Sequence, residues 1–160
     1  MASRDAALIL GLLVVMVACG QSPDPPMTAV GSAGVETPEP GWQPLAIDAM
    51  APEQLDLRGR CMAAKDDLMM ETKSELVEAL ESGGTTAAIG VCSIRAPEIA
   101  AVVSNRHGVV MGRTSFRLRN AANTPPAWAR AAVEARIESE QWYLGPDGRM
   151  AGLMPFRMAA

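Results

Sequence analysis

The apolar positions Leu57, Cys61, Ala64, Leu68, Thr72, Leu76 and Leu80 recur at intervals of three and four, the spacing of one face of an α-helix. Pro52 suits the start of that helix, and Glu53 and Asp56 fall where the positive end of the helix dipole favours acids. Gly83-Gly84 ends it. Asp66, Asp67, Glu71, Glu75, Glu78 and Glu81 lie mostly on the other faces and read as a solvated acidic side rather than a carboxylate metal site. A second helix begins at Thr85 or Thr86, with Ala87, Ala88, Ile89, Val91 and Cys92 as a small-residue inward face. Pro97 demands a kink or restart, because it cannot donate a backbone hydrogen bond. The chain leaves the helix between Ser104 and Gly108. From Val109 to Arg119 the pattern turns to β-branched residues in partial alternation, which predicts a strand. Residues 120–123 form a turn. Thr124 then caps a helix with Pro125 in its first turn, running to about Glu138 with Trp128, Ala132, Ala135 and Ile137 inward. Residues 141–144 and 149–154 flank Gly145-Pro146-Asp147-Gly148 and predict a hairpin. The class is α/β (α+β): a long N-terminal helix, a kinked helical segment, and a small antiparallel sheet with flanking helices.

The first 52 residues follow a different pattern. Ala6 to Ala18 carries no charge, with Arg4 and Asp5 just before it. As a helix, thirteen residues span about 20 Å, short of the roughly 30 Å hydrocarbon core of a bilayer, so the run suits a signal h-region better than a membrane span. It stops at Cys19-Gly20. Met16-Val17-Ala18-Cys19 resembles the bacterial lipobox, in which a small residue precedes a cysteine that is diacylated and becomes the mature N-terminus. Met16 stands where that motif usually has Leu. Residues 1–19 are therefore expected to be a lipoprotein-type signal, with membrane lipid as the partner of Cys19. The resemblance places the protein in the cell envelope, on the periplasmic face, and the absence of Asp after the cysteine favours the outer membrane. Residues 20–52 hold seven of the twelve prolines and no apolar period, the mark of an extended linker. Trp42 and Leu45 are its two candidates for docking on the domain, which occupies residues 53–160.

Composition narrows the function. The 160-residue chain is 49% apolar and 4% aromatic, with a formal charge of −4. A duplex-binding protein shows the opposite charge, and a single-strand platform needs more aromatics, so no nucleic-acid partner is expected. His107 is the sole histidine, which excludes zinc sites built on several imidazoles. The three cysteines, Cys19, Cys61 and Cys92, form no Cys-x-x-Cys. Ser93, Ser104 and Ser115 lack the setting of an activated nucleophile, and no enzyme activity is expected. Eleven methionines without a Met-x-x-Met repeat read as core filling.

The stretch 88–128 is the most specific. Ala88-Ile89-Gly90-Val91-Cys92-Ser93, Ala96-Pro97-Glu98-Ile99-Ala100, Gly112-Arg113-Thr114-Ser115-Phe116-Arg117-Leu118-Arg119-Asn120, Ala122-Asn123-Thr124-Pro125 and Trp128 occur in that order. They resemble a bacterial family of PAS-like domains whose structurally described members are c-type haem proteins. The resemblance covers the whole domain and implies a PAS-like sensor fold, often joined to signalling modules. It implies haem or redox sensing as the inherited role, with Cys92 at the position of a thiolate axial ligand. The family's Cys-x-x-Cys-His attachment motif is absent, so covalent c-type haem is not supported. The chain is then either truncated at its C-terminus or a member that has lost covalent haem.

Two candidate sites follow. Cys92 is the expected metal ligand, with His107 either an exposed loop histidine or the opposing ligand of a noncovalent haem. Arg113, Arg117 and Arg119 share one face if the strand runs to Arg119. They are expected to bind an anion such as the haem propionates; alternatively, the Arg117-Leu118-Arg119-Asn120 run clamps the turn and pairs with acids of the long helix. Asn120 and Asn123 are expected to hold the turn through Asx bonds. Helices reversing at Gly83-Gly84 would set Cys92 opposite residue 75, about 21 Å along the axis from Cys61, too far for a disulfide. The expected function is a non-enzymatic extracytoplasmic lipoprotein carrying a sensor or ligand-binding domain that signals through a partner. The rival readings are a ligand-free structural or interaction lipoprotein and an electron-transfer haem protein.

Overall fold

The computed structural model describes residues 13–19, 41–118 and 120–156. The signal and linker assignments over 1–12 and 20–40, and Arg119, lie outside the described residues. The elements are β1 (Leu13–Cys19), β2 (Gln43–Pro44), α1 (Pro52–Gly90), α2 (Ala96–His107), β3 (Val110–Thr114), α3 (Ala127–Glu134), β4 (Gln141–Leu144) and β5 (Met150–Phe156). The fold is mixed α+β, a long helix with a small antiparallel sheet, as the pattern of apolar positions predicts.

Gly84 divides α1. Its φ of 64° and ψ of −158° are non-helical and lie in a region open essentially to glycine alone. The chain reverses there, as Gly83-Gly84 predicts, and the two arms run antiparallel. Arg95 reaches Glu75, and Arg106 reaches both Asp67 and Glu71. Gln54 Oε1 accepts from the Ala51 N–H at 2.8 Å and fastens the entry of the first arm. Gly108, at φ 63°, closes α2 by the left-handed conformation that glycine tolerates.

The sheet order is β2-β4-β5-β1-β3, with every neighbouring pair antiparallel. Alternate residues of β5 supply two cores. Met150 and Met154 join Cys61, Ala64, Leu68, Ile99, Val103 and Trp142 beneath the helical arms. Ala151 and Leu153 join Trp128, Ala129, Ala132 and Val133 beneath α3. A strand covered on both faces is apolar throughout, which is why Met150-Ala151-Gly152-Leu153-Met154 lacks polar alternation.

Several boundaries differ from expectation. The domain begins before residue 53. Trp42 stacks on Trp128 with ring centroids 5.2 Å apart, β2 pairs with β4, and Met50 is buried. The ordering of this segment comes from the aromatic stack, which proline content does not report. Leu80 is exposed although it continues the apolar stripe. β3 ends at Thr114, not Arg119, and Ala121–Asn123 forms a 3-10 turn. Asn120 accepts from the Ala122 N–H, as expected of an Asx residue, but Thr124 closes this turn through Ala121 O instead of capping α3. Pro126 precedes α3, which stops at Glu134, so Ala135 is exposed while Ile137 is buried. Residues 13–19, assigned to the signal, pair as β1 between β5 and β3.

Candidate functional site

Pro97 determines the local structure around Cys92. Its missing N–H and its ring exclude the regular bond to the carbonyl four residues back, and the helix widens over Val91–Arg95 into a π turn. The Ala96 N–H then bonds to Val91 O. The buried positions of this arm are Ala88, Val91, Ala96, Ile99, Ala100 and Val103. The five-residue step from Val91 to Ala96 is the extra residue of the π turn. Cys92 falls outside that stripe and is exposed, which corrects the expectation that its sulfur faces inward. The structure expresses the Pro97 kink as this widened turn.

Arg113 lies beside it. Its Nη2 donates to Cys92 O at 3.2 Å. Burial pulls the guanidinium pKa below its ordinary value, while the Cys92 sulfur favours the charged form. Arg117 lies beyond β3, with its guanidinium 5.5 Å from the Phe116 ring centroid. Arg136 covers the same ring at 4.2 Å. Arg113 and Arg117 therefore do not share a strand face, because β3 stops between them.

His107 is the last residue of α2, not a loop residue. Its Nε2 lies 2.8 Å from Asp67 Oδ2, beside the Arg106 pairs with Asp67 and Glu71. The His107 hydrogen bond is the first cause that holds the Asp67 carboxyl below its ordinary range, with Arg106 adding to it. Cys92 and His107 sit toward opposite ends of one helical arm. Their 15-residue separation corresponds to about 22 Å of helix, so they cannot ligate one iron. Cys61 is buried in the core and no disulfide joins it to Cys92.

The basic residues of 95–117 mostly serve the hairpin. Arg95 pairs with Glu75 and Glu98, Glu75 first raising its pKa above the usual range. Arg106 is raised in the same way, by Glu71 first. Arg95 and Arg106 pair with acids of the long helix, a pairing expected for the 117–120 run, of which Arg119 lies outside the described residues. A shallow groove on the first arm is lined by Met70, Lys73, Ser74, Val77, Glu78 and Glu81, and none of the expected site residues borders it. Among the described residues, no three His, Cys, Asp or Glu side chains converge as metal ligands.

Sequence reasoning missed the far half of the hairpin. Residues 52–83 span about 48 Å as a helix, and the seven-residue strands span about 23 Å. Roughly half of the first arm, and about a third of residues 85–107 at about 34 Å, thus have no sheet to cover them. Val77, Leu80, Ile89 and Ile94 are exposed there, at 45%, 47%, 64% and 63%. Counting strand residues against helix residues would have found this surface. A window within 52–107 reaches a mean hydropathy of 1.5 and is 33% buried, in a run that Gly84 breaks into two arms.

Comparison with protein-family models, curated proteins and solved structures finds no match for the chain.

Proposed function

We propose that the chain is a lipid-anchored protein of the cell envelope, held at the outer membrane through Cys19. Its domain is a non-enzymatic sensor and interaction module of the PAS-like kind. One observation carries this reading: Cys92 is exposed on the second arm of the hairpin, in a stretch that also holds exposed Ile89 and Ile94. Contiguous exposed apolar surface marks a contact site, and an accessible thiol within it gives that contact a chemical control. A peroxide of the envelope transfers one oxygen to the Cys92 thiolate, leaving the sulfenate and water. A small apolar group thereby becomes a polar one. Arg113 braces the turn that carries it, its Nη2 donating to the Cys92 carbonyl at 3.2 Å. This is the redox form of the role that the resemblance implies. The haem form has less support, since Cys92 opens to solvent and His107 is committed to Asp67 at the other end of the arm.

The test uses mature protein purified from the envelope. Its N-terminal peptide carries the mass of a diacylated cysteine. Under peroxide, exposed Cys92 is oxidised about tenfold or more faster than buried Cys61. Oxidation of Cys92 no faster than Cys61 removes the redox reading and leaves the ligand-free interaction lipoprotein. That second reading is favoured by Arg95 and Arg106, whose charges are taken up by acids of the same hairpin. A Soret band on haem addition, weakened in Cys92→Ala, would put the haem reading first.

A further inference from the structure

β1 occupies a slot with unusual requirements. It is antiparallel to β5 through Leu13↔Phe156 to Cys19↔Met150, and antiparallel to β3 through Val14↔Thr114 to Ala18↔Val110. β3 and β5 therefore run parallel to each other, two strand spacings or about 9.5 Å apart. β5 is internal, paired on its other side with β4, while β3 is the terminal strand of the sheet. β5 contributes buried residues to the cores on both of its faces, so a strand filling the slot must be apolar on both faces. Leu13-Val14-Val15-Met16-Val17-Ala18-Cys19 carries no charge at any position and meets that requirement.

The lipobox bond lies inside this strand. Cleavage between Ala18 and Cys19 removes six of its seven residues and leaves two ladders facing one another across the gap. The backbone groups of both ladders then lack partners, and β5 becomes an apolar edge with no charged side chain to protect it. Direct closure is opposed by the connections. β3 follows α2 through Gly108-Val109, and α2 is fastened to the first arm by Arg106 and His107 on Asp67. β5 is held by β4 and by the cores on both faces.

We infer that the mature protein accepts, from another polypeptide, an extended uncharged apolar strand of about seven residues that lies between β5 and β3, antiparallel to both. This rests on the lipoprotein reading above. The vacated strand specifies the occupant: no charge on either face, β-branched residues at its centre, and a direction set by two parallel neighbours. An amphipathic edge strand fails the first condition.

The test adds a synthetic peptide with the sequence of residues 13–19, flanked by solubilising lysines, to mature protein purified from the envelope. The control peptide carries Val15→Asp and Val17→Asp. Amide hydrogen exchange is read at residues 110–114 and 150–156. The apolar peptide slows exchange at both strands about tenfold or more, saturating at one peptide per chain, and the control does not. If the mature chain is loosely packed alone, the same peptide must order it at the same ratio. Strands fully protected before the peptide arrives overturn the proposal, as does an apolar peptide no better than its control. The N-terminal mass of the same sample separates the two inferences. A chain beginning at Met1 sinks the lipoprotein reading and this one together. A chain beginning at Cys19 that ignores the peptide sinks only this one.

Discussion

Gly152 tests the joint between sheet and helices. It lies directly opposite Trp142 in the β4–β5 ladder, and Trp142 is 3% exposed in the core beneath the helical arms. A Cβ at residue 152 would stand 2.5, 2.7 and 2.8 Å from the ring atoms Cζ3, Cη2 and Cε3. Carbon atoms settle about 3.5–4.0 Å apart, so the ring or the strand must shift by roughly 1 Å. The ring has little room to yield. Its Nε1 donates to Glu140 Oε2 at 3.2 Å, and Glu140 also pairs with Arg58 of the first arm. Overpacking of this kind costs about 1–3 kcal/mol, against a gain of about 0.5–1 kcal/mol from replacing a strand glycine. Gly152→Ala is therefore expected to lose about 1–2 kcal/mol net, a fall in Tm of about 4 to 12 °C. Urea unfolding followed by far-ultraviolet circular dichroism and tryptophan fluorescence measures it. Trp142→Phe shortens the ring, so the double variant should recover about 1 kcal/mol relative to the sum of the single changes. A Gly152→Ala protein within about 0.5 kcal/mol of the parent, or one with no coupling to Trp142, would refute the reasoning.

Three further outcomes follow from single sites. Gly84→Ala forces a side chain into a conformation reserved for glycine and should cost about 1–3 kcal/mol in urea unfolding, loosening the reversal between the arms. Asp67 has a folded-state pKa below its unfolded value of 3.8. Its contribution to stability is therefore present above pH 3.8 and lost as pH falls through the lower folded value. Asp67→Asn should be less stable than the parent at neutral pH, with the difference closing below pH 3.8 in a series of unfolding curves; a gap independent of pH contradicts the pairing with His107 and Arg106. Thr114 is 1% exposed and its Oγ1 has no hydrogen-bond partner. Thr114→Val removes that buried hydroxyl at nearly constant shape and should raise stability by about 1 kcal/mol, read as an increase in Tm.

Periodicity made the helices legible because their burial follows short-range spacing. Cys61, Ala64 and Leu68 are buried as their three-and-four rhythm predicts. The rhythm misleads at Leu80, since it reports which residues share a face and says nothing of whether another layer covers it. Cys92 was misplaced for a related reason. A constant 3.6-residue period cannot anticipate a π turn, although Pro97 signals that the hydrogen bonding must fail nearby. The specific run from Arg113 to Trp128 also looks different in three dimensions. Phe116 sits against Arg117 and Arg136, Asn120 and Thr124 close the 3-10 turn, and Trp128 stacks with Trp42 and lies 5.4 Å from Tyr143. Most of these residues hold the corner between β3 and α3. A motif of that kind carries information about fold more directly than about ligand.

Residues 13–19 satisfy two demands with one property. An uncharged apolar run rich in β-branched residues is read by an export apparatus as a signal and by a half-built sheet as its missing strand. Timing decides between them. The strand's partners lie at residues 110–114 and 150–156, so the sheet cannot close around β1 until nearly the whole chain has been made. At about 5–20 residues per second, residue 156 follows residue 19 by roughly 7 to 27 s. Pairings so distant in sequence also form slowly once both ends exist. A signal is exposed throughout that interval. On the lipoprotein reading proposed above, cleavage would precede strand insertion, and the domain would fold with β3 and β5 facing an unfilled ladder. On that reading, the order of synthesis is what would turn an internal strand into a site for a strand from elsewhere.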